Sequence, residues 1–420
     1  MLLGYLLRFG LAAVIAICAA ALPSFASPTF RADGPHGEAY GVSEGYPVSP
    51  PQPGRMPFRF FVGTFSHYDQ YLPARTVAKG DAASPLRRAE HDFPATYTYD
   101  RARRTLADYV DRNPVTGLLI GKGDTILYEH YQYGRTEQDR FVSHSIAKSV
   151  TSMLVGIALG EGKIASIDDA ASKYVPDLAG SEYGGSSLRS LLTMSSGVQF
   201  REDYGGADDI SRLGTDLFGP RSPGTAAAVR QFNTRLSPPD TVFRYASVET
   251  EILGLVLRAA VGMPVSEYLS TRLWQPLGAE AEATWSIDRS GQEATFCCLT
   301  ATLRDYTRLG LMLANDGAWN GKQIVPRDWV VEATTATSER AHLMPGKATP
   351  FYGYGYQTWL FPGPRRAFAL LGIHGQAIFV DPQAKLVMVH TAVRPLAAND
   401  PGGREAVALW TALQEQLRGE

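Results

Sequence analysis

Strand-like hydrophobic patterns lie near the two ends of this chain, and helical patterns fill most of the stretch between them. Apolar runs and apolar/polar alternation predict strands at residues 117–121, 125–133, 352–359, 367–373, 377–380 and 386–390. Apolar positions at helical spacing predict helices at residues 101–111, 249–261, 303–315 and 405–417. We therefore expect an α+β protein whose sheet is divided in the sequence by a mostly helical insertion, with a cleft between the two parts.

This division predicts the domain boundaries. Residues 96–140 and 340–420 are expected to form an α/β domain, and residues 141–339 a helical domain. The stretch from residue 27 to 57 is rich in glycine, proline and serine and has no sustained periodicity. We expect residues 27–95 to form an extended N-terminal arm.

The first 26 residues have the pattern of an export signal. A short segment with the single cation Arg8 precedes an apolar run at residues 11–22, and Ser24-Phe25-Ala26 then offers a small-x-small cleavage site. The alternative is a membrane anchor, but the run is short for a membrane span and no basic flank follows it. The pattern predicts a periplasmic or secreted protein, cut after Ala26, with no stable membrane anchor.

Composition excludes several classes of function. The chain has 420 residues, of which 45% are hydrophobic and 20% charged, with a net charge of −2, which is typical of a globular protein of one large or two medium domains. No basic tract favours nucleic acid binding. The eight histidines are scattered and form no metal-ligand spacing, so we expect no metal and no cofactor. Oligomeric state stays open.

Cys297 and Cys298 are adjacent in the sequence. Neighbouring cysteines cannot link distant segments and rarely bond to each other without backbone strain. We therefore expect no disulfide framework.

The most informative motif is Ser145-Ile-Ala-Lys148, at the start of a predicted apolar helix. Ser145 would lie where unpaired backbone N–H groups and the helix dipole favour a developing negative charge. Lys148 lies three residues later on the same helix face, within reach of the Ser145 hydroxyl. A lysine in a dry site loses its proton more easily and can activate a serine nucleophile.

Gly41-Val-Ser43-Glu-Gly45 matches a second serine motif, the Gly-x-Ser-x-Gly nucleophile elbow. That elbow requires a buried strand before the serine and a helix after it. The flanking residues predict neither, so we interpret this match as a coincidence.

Several segments together, over residues 98–417, resemble the serine hydrolases of the β-lactamase-like, penicillin-recognising fold, on the branch of class C β-lactamases and their esterase relatives. The chain looks most similar to 6-aminohexanoate-oligomer hydrolases and related carboxylesterases. The segments are residues 117–124, Ser145-Ile-Ala-Lys148-Ser149, Leu191-Leu-Thr-Met-Ser-Ser-Gly197, Tyr245-Ala-Ser247, Leu273-Trp-Gln-Pro-Leu-Gly278, Ala301-Thr-Leu-Arg-Asp-Tyr306, Gly375-Gln376 and Val380-Asp-Pro382. The resemblance implies a β-lactamase/transpeptidase-like fold, with an antiparallel sheet flanked by N- and C-terminal helices and a mostly helical domain.

The resemblance also implies site residues. Tyr245 becomes the second catalytic residue, which passes a proton together with Lys148. The family has Tyr-x-Asn here, whereas this chain has Ser247 at the third position. The backbone N–H groups of Ser145 and Gln376 are expected to form an oxyanion hole.

The family's Lys-Thr-Gly strand corresponds to Ile373-His374-Gly375, which lacks the lysine that binds a penicillin carboxylate. Gly375 would allow a close approach of the backbone to substrate. His374 would line the pocket or make a structural hydrogen bond.

Tyr204 lies on a glycine-rich loop and is predicted to close over substrate, with an exposed aromatic residue as the alternative. Its neighbours Glu202 and Asp203 would either face solvent or attract an amino-terminated substrate.

Together these features predict an exported serine hydrolase that forms an acyl-enzyme on Ser145 and cleaves small esters or linear amides. The alternatives are a β-lactamase or D,D-peptidase-like protein, and a non-catalytic acyl-binding relative.

Overall fold

The computed structural model describes residues 25–50 and 56–418. The α-helices in this part are α1 Phe61–Ser66, α2 Tyr68–Tyr71, α3 Leu106–Arg112, α4 Ile146–Gly160, α5 Leu188–Leu192, α6 Asp209–Phe218, α7 Thr225–Val229, α8 Ser247–Val261, α9 Val265–Leu269, α10 Gln275–Leu277, α11 Leu303–Ala314, α12 Arg327–Ala333 and α13 Pro401–Gln416. The strands are β1 Thr29–Phe30, β2 Ala74–Val77, β3 Arg87–Arg88, β4 Thr96–Tyr99, β5 Ala102–Thr105, β6 Val115–Lys122, β7 Thr125–Tyr131, β8 Arg140–Val142, β9 Ala283–Ser286, β10 Leu299–Thr302, β11 Ala318–Trp319, β12 Lys322–Gln323, β13 Gly353–Tyr354, β14 Trp359–Leu360, β15 Phe368–Gly372, β16 Gln376–Asp381 and β17 Leu386–Ala392.

The large sheet joins strands from both ends of the chain. Its order is β1-β7-β6-β17-β16-β15-β14-β13, so the N-terminal hairpin β6–β7 adds to the C-terminal meander through the pairing of β6 with β17. These neighbours are antiparallel except at one edge, where β1 and β3 both run parallel to β7. The predicted antiparallel sheet therefore has two parallel pairs at that edge.

β6 is buried on both faces, which explains its unbroken apolar sequence. Leu119 points into the core shared with α4 and α11, whereas Leu118 and Ile120 pack toward α3 and α13 on the opposite face. On that opposite face, Trp410 of α13 stacks on Phe379 of β16, with ring centroids 5.7 Å apart. Helices thus cover both faces of the sheet.

A smaller sheet, with the order β2-β9-β10-β8, leads into α4. β8 pairs with β10, and directly after it the Ser143 N–H donates to the Leu299 carbonyl at 2.7 Å. Because this bond fixes the chain two residues before Ser145, the small sheet determines where α4 begins.

The structure departs from the predicted elements at several places. The helix predicted at 101–111 is instead β5 followed by α3, whose first turn begins at a Thr105–Asp108 capping box. The strand predicted at 352–359 is a hairpin of two short strands, β13 and β14. The region predicted as helical also supplies β9 and β10. Residues 27–95, predicted as an extended arm, contain α1, α2 and three short strands that pack onto the body.

Two expectations concern the N-terminal region. The predicted export signal falls almost entirely on residues 1–24, which lie outside the described residues. Ser43 lies in a short 3-10 helix between two left-handed glycines and is exposed, without the strand–turn–helix of a nucleophile elbow. The second serine motif is therefore a coincidence, as predicted.

Within the described ranges, no single helix has the length and apolar composition needed to cross a bilayer. One helix pair, Ser247–Val261 with Val265–Leu277, meets those two criteria only when taken together, across a bend of 75°.

Candidate active site

Ser145 occupies the N-terminal end of α4, as predicted from its sequence. The helix is apolar on all sides, and every residue from Ile146 to Ala158 is buried, so its position is determined by packing on all faces. His144, directly before the serine, has a φ of +43°, in the left-handed region that non-glycine residues adopt at a cost of about 1–2 kcal/mol. This sharp turn carries the chain from β8 into α4.

The Lys148 amine donates a 2.8 Å hydrogen bond to the Ser145 Oγ. It also donates to the Phe296 carbonyl at 2.9 Å. Burial lowers the pKa of Lys148 to about 8, against the opposing carboxylates of Glu202 and Glu251. A substantial share of this lysine is therefore neutral just above pH 7, as an acceptor for the serine proton must be.

Tyr245 completes the group around the nucleophile. The Lys148 amine lies 5.1 Å from the centre of its ring. Burial raises the pKa of the Tyr245 phenol, Glu202 raises it further, and the nearby Ser145 hydroxyl opposes both. The phenol is thus protonated at neutral pH and can donate a proton. The ring stacks on Trp359, with centroids 5.3 Å apart, which fixes its plane.

Glu202 is the carboxylate of the site. It accepts hydrogen bonds from the Ser247 N–H and hydroxyl, both at 2.7 Å, and from the Tyr204 hydroxyl at 2.7 Å. Ser247 stands where the related family has an asparagine, and its short side chain leaves room for this carboxylate. Tyr204 is tied to Glu202 and only partly exposed, so it is not a freely exposed aromatic; its closure over substrate stays a prediction.

A second acid lies behind the lysine. Glu251 is buried and accepts from the Thr295 N–H at 2.8 Å, next to Phe296 in sequence. Burial raises the pKa of Glu251 to about 8, so this acid is mostly protonated at neutral pH. Of the two acids, Glu202 therefore has the larger effect on the pKa of Lys148.

Cys297 and Cys298, which follow Phe296, are joined by a disulfide bond. The sequence predicted no disulfide framework and favoured no bond between these neighbours, which is rare; here that rare bond is formed. Cys298 has a φ of +69°, and this left-handed backbone accompanies the closed eight-membered ring of neighbouring cysteines.

Residues 373–375 differ from the predicted strand. They form a 3-10 turn between β15 and β16, with His374 at φ +59° and Gly375 at φ +94°. Gly372, just before the turn, lies against the nucleophile segment: a Cβ there would be 2.4 Å from the Ser143 carbonyl oxygen. The turn thus lies beside Ser145, but as a turn and not as a Lys-Thr-Gly-like strand.

The side chains of this turn contact other parts of the protein. The His374 Nδ1–H donates to the Arg394 carbonyl at 2.7 Å, and its ring packs edge-on to Phe61 at 4.9 Å, which matches the structural alternative. The group that approaches Gly375 is the Arg394 side chain, 2.9 Å from where a Cβ would stand. A substrate-lining role for His374 and Gly375 stays a prediction.

Gln376 is buried at the start of β16, opposite Gly372. Its side-chain amide donates to the Ala392 carbonyl at 2.7 Å and accepts from the Ala392 N–H at 3.2 Å. These bonds fix the backbone at this position. The oxyanion hole formed by the Ser145 and Gln376 N–H groups stays a prediction.

Among residues 25–50 and 56–418, no group of three or more histidine, cysteine, aspartate or glutamate side chains is placed to hold a metal ion.

Replacing Glu202 by glutamine is expected to move the acid limb of the kcat/KM pH profile. The Glu202 charge favours the lysine ammonium, so its removal lowers the pKa of Lys148 and makes the neutral base available at lower pH, by about 0.5–1 pH unit. The measurement is the pH profile of p-nitrophenyl ester hydrolysis. Asp203→Asn, on an exposed neighbour with no bond to Ser247, is the matched control and should leave the limb in place. An unmoved limb in Glu202→Gln contradicts this assignment.

Comparison with known proteins gives consistent matches. The family model described as Beta-lactamase matches residues 102–412. A 6-aminohexanoate-dimer hydrolase of Paenarthrobacter ureafaciens is 29% identical over 362 residues, which cover 84% of this chain and 88% of that enzyme.

Two solved structures are similar in fold. A Bacillus anthracis protein assigned as a 6-aminohexanoate-dimer hydrolase superposes with a TM-score of 0.76 at 22% identity, over 86% of this chain and 96% of that one. The hydrolase EstCE1, which has promiscuous acyltransferase activity, superposes with a TM-score of 0.60 at 17% identity. The superposition covers 73% of this chain and 96% of EstCE1. At these identities the likeness concerns the fold alone.

Proposed function

This chain belongs to the beta-lactamase family and is a serine hydrolase, and from that premise we propose that it cleaves short acyl esters and linear amides in preference to β-lactams. The predicted β-lactamase/transpeptidase-like α+β fold is confirmed. The observation that carries the proposal is the Glu202 carboxylate, bonded to Ser247 beside the Ser145–Lys148 pair.

The geometry supports a two-step reaction. Neutral Lys148 accepts the Ser145 proton as Oγ attacks the acyl carbon, and the helix N-terminus stabilises the developing oxyanion. Tyr245, close to Ser145 and beside the Lys148 amine, passes a proton to the leaving alcohol or amine. Water then attacks the acyl-enzyme and the same pair accepts its proton, which restores Ser145.

Charge supports the substrate preference. A penicillin or cephalosporin carries a carboxylate, and Glu202 places a like charge in the cleft, while the turn at 373–375 supplies no lysine to bind it. Arg394, which contacts Gly375, is buried and donates to the Gly402 carbonyl at 2.9 Å. A neutral ester meets no such repulsion, and Glu202 would attract an amide through a terminal ammonium group. The 6-aminohexanoate-dimer hydrolase relative is named for an amide with such a group; that amide carries its own carboxylate at the other end of a flexible chain, whereas the carboxylate of a β-lactam is held close to the reacting carbonyl.

We expect kcat/KM for p-nitrophenyl butyrate to exceed that for a chromogenic cephalosporin. Loss of a charge-assisted hydrogen bond to the β-lactam carboxylate alone is worth about 1.5–3 kcal/mol, or about ten- to a hundredfold. A 6-aminohexanoate dimer in the same series tests the amide. Sustained turnover of the ester excludes a non-catalytic acyl-binding protein. A cephalosporin preferred over the ester refutes the proposal.

We also propose that the protein is exported. The apolar run at residues 11–22 followed by Ser24-Phe25-Ala26 supports this. Intact-mass analysis of the protein recovered from its host should find an N-terminus at Ser27.

A further inference from the structure

The carbonyl that accepts from the Lys148 amine belongs to the residue directly before a ring of two bonded cysteines. Phe296 is buried, its carbonyl lies 2.9 Å from the Lys148 Nζ, and its ring centre lies 5.5 Å from the same atom. The Cys297–Cys298 disulfide closes immediately afterwards. The ring is therefore one peptide unit from a hydrogen-bond partner of the catalytic amine.

Hydrogen bonds hold this ring from one side. The Trp285 indole N–H donates to the carbonyls of both Ala294 and Cys297, at 3.0 and 2.9 Å. The Ser286 N–H donates to the Cys298 carbonyl at 3.2 Å. Trp285 and Ser286 both belong to β9, so the ring is attached to the small sheet.

The other end of the ring leads to the nucleophile. Leu299 follows Cys298, begins β10, and accepts the 2.7 Å bond from the Ser143 N–H. The segment from Phe296 to Leu299 therefore contacts Lys148 at one end and the residues before Ser145 at the other. A change of backbone in the ring would alter the distance between base and nucleophile.

The backbone of Cys298 needs an added constraint. Its φ of +69° is uncommon for a non-glycine residue. A covalent ring of two residues removes most of the other backbone conformations that the pair would otherwise adopt. We propose that the Cys297–Cys298 disulfide is a positioning element for the catalytic base, because it fixes the Phe296 carbonyl against Lys148.

This inference rests on Ser145 and Lys148 as the reactive pair but not on the identity of the substrate. The test is therefore the rate at which a fluorophosphonate labels Ser145, since labelling needs the activated serine and no substrate. Unlabelled wild-type protein would refute the proposed function. A labelled wild type with an unaffected disulfide-free variant would refute only the inference.

Two ways of opening the ring are compared. A phosphine reduces the wild-type disulfide to two thiols, counted with a thiol reagent, and is itself oxidised to the phosphine oxide. The double variant Cys297→Ser/Cys298→Ser lacks the bond permanently. We expect both to be labelled about ten- to a hundredfold more slowly than the oxidised wild type, the range that misplaced catalytic groups show. Reoxidation should restore the wild-type rate, and phosphine should not change the variant.

The pH profile of labelling distinguishes displacement of the Phe296 carbonyl from a general loss of rigidity in the fold. The groups that face or act on Lys148 are Ser145 and His144 at the start of α4, Tyr245 and Glu202 from the two loops, and Glu251 of α8. None of these groups belongs to the ring, whereas a displaced Phe296 carbonyl would admit water to the amine. The acid limb of labelling should therefore move to higher pH.

Thermal unfolding of each form checks that the fold is retained. Equal labelling rates, an unmoved acid limb, or slow labelling that appears only in unfolded protein overturns the inference. If the double variant does not fold, the reversible reduction of wild-type protein still decides between the outcomes.

Discussion

The Ser145→Ala variant is expected to lose ester hydrolysis by a factor of about 10⁴ or more, because the acyl group then has no oxygen on which to form. The fold should be retained. The Ser145 side chain makes no capping bond to α4, and Lys148 keeps the Phe296 carbonyl as its acceptor. We expect a loss of no more than about 1 kcal/mol in the free energy of unfolding. Hydrolysis of p-nitrophenyl butyrate and the melting temperature measure the two effects.

Ser43→Ala is the matched control, because Ser43 lies in the second serine motif and is exposed. It should keep full activity. Mass spectrometry of the fluorophosphonate-labelled wild type should place the label on the peptide that contains Ser145. Turnover by Ser145→Ala, or a label on Ser43, would show that the nucleophile is another residue.

Lys148→Met and Tyr245→Phe are each expected to lower kcat by about 10² or more. The double variant should lose much less than the product of the two losses, because both side chains lie at Ser145 and act on the same proton. Methionine keeps the volume of the buried lysine, so the packing around α4 changes little. Steady-state rates of the four proteins measure the coupling.

Lys163→Met is the control for that pair, since Lys163 is an exposed lysine just beyond the end of α4. It should leave kcat unchanged. Losses that multiply would mean that Lys148 and Tyr245 act independently. A fully active Tyr245→Phe enzyme would remove the phenol from the reaction.

The fold could be predicted where local pattern and tertiary structure agree. The strands β6 and β7 and the helices α8 and α11 lie within two residues of the predicted bounds, because most of their apolar residues are buried in the core. The prediction of a helix at 101–111 was wrong for its first half, which forms β5. Residues 102–105 pair with β4, a tertiary contact that overrides the helical spacing of their side chains.

In the candidate site too, the sequence predicted what local spacing determines but not what tertiary contacts determine. Ser145 and Lys148 could be predicted because one helical turn fixes their separation. The role of Tyr245 was predicted from the resemblance to the family, because no local pattern distinguishes this residue from the other tyrosines of the chain. Glu202 was noted only as a loop residue that would face solvent or attract a substrate, because its bond to Ser247 joins segments 45 residues apart.

The bond between the two cysteines was not predicted, for a related reason. The general rarity of bonds between neighbouring cysteines says nothing about a particular backbone. The left-handed Cys298 is held by carbonyl bonds to β9, which the sequence near residue 298 does not reveal. The only indication of the bond in the sequence is that the two cysteines are adjacent and lie just before the segment at residues 301–306.

The contrast between α4 and the loop of Glu202 has a consequence for evolution. Ser145 and Lys148 belong to a helix buried on every side, where most substitutions destabilise the whole protein. Glu202 is half-buried and lies between exposed residues, Arg201 and Asp203, on a loop, where replacements are better tolerated than in a buried helix. Selection can therefore exchange the charge that meets the substrate while Ser145 and Lys148 are retained. Each such exchange would also move the pH range over which Lys148 is neutral, so that substrate and working pH change together.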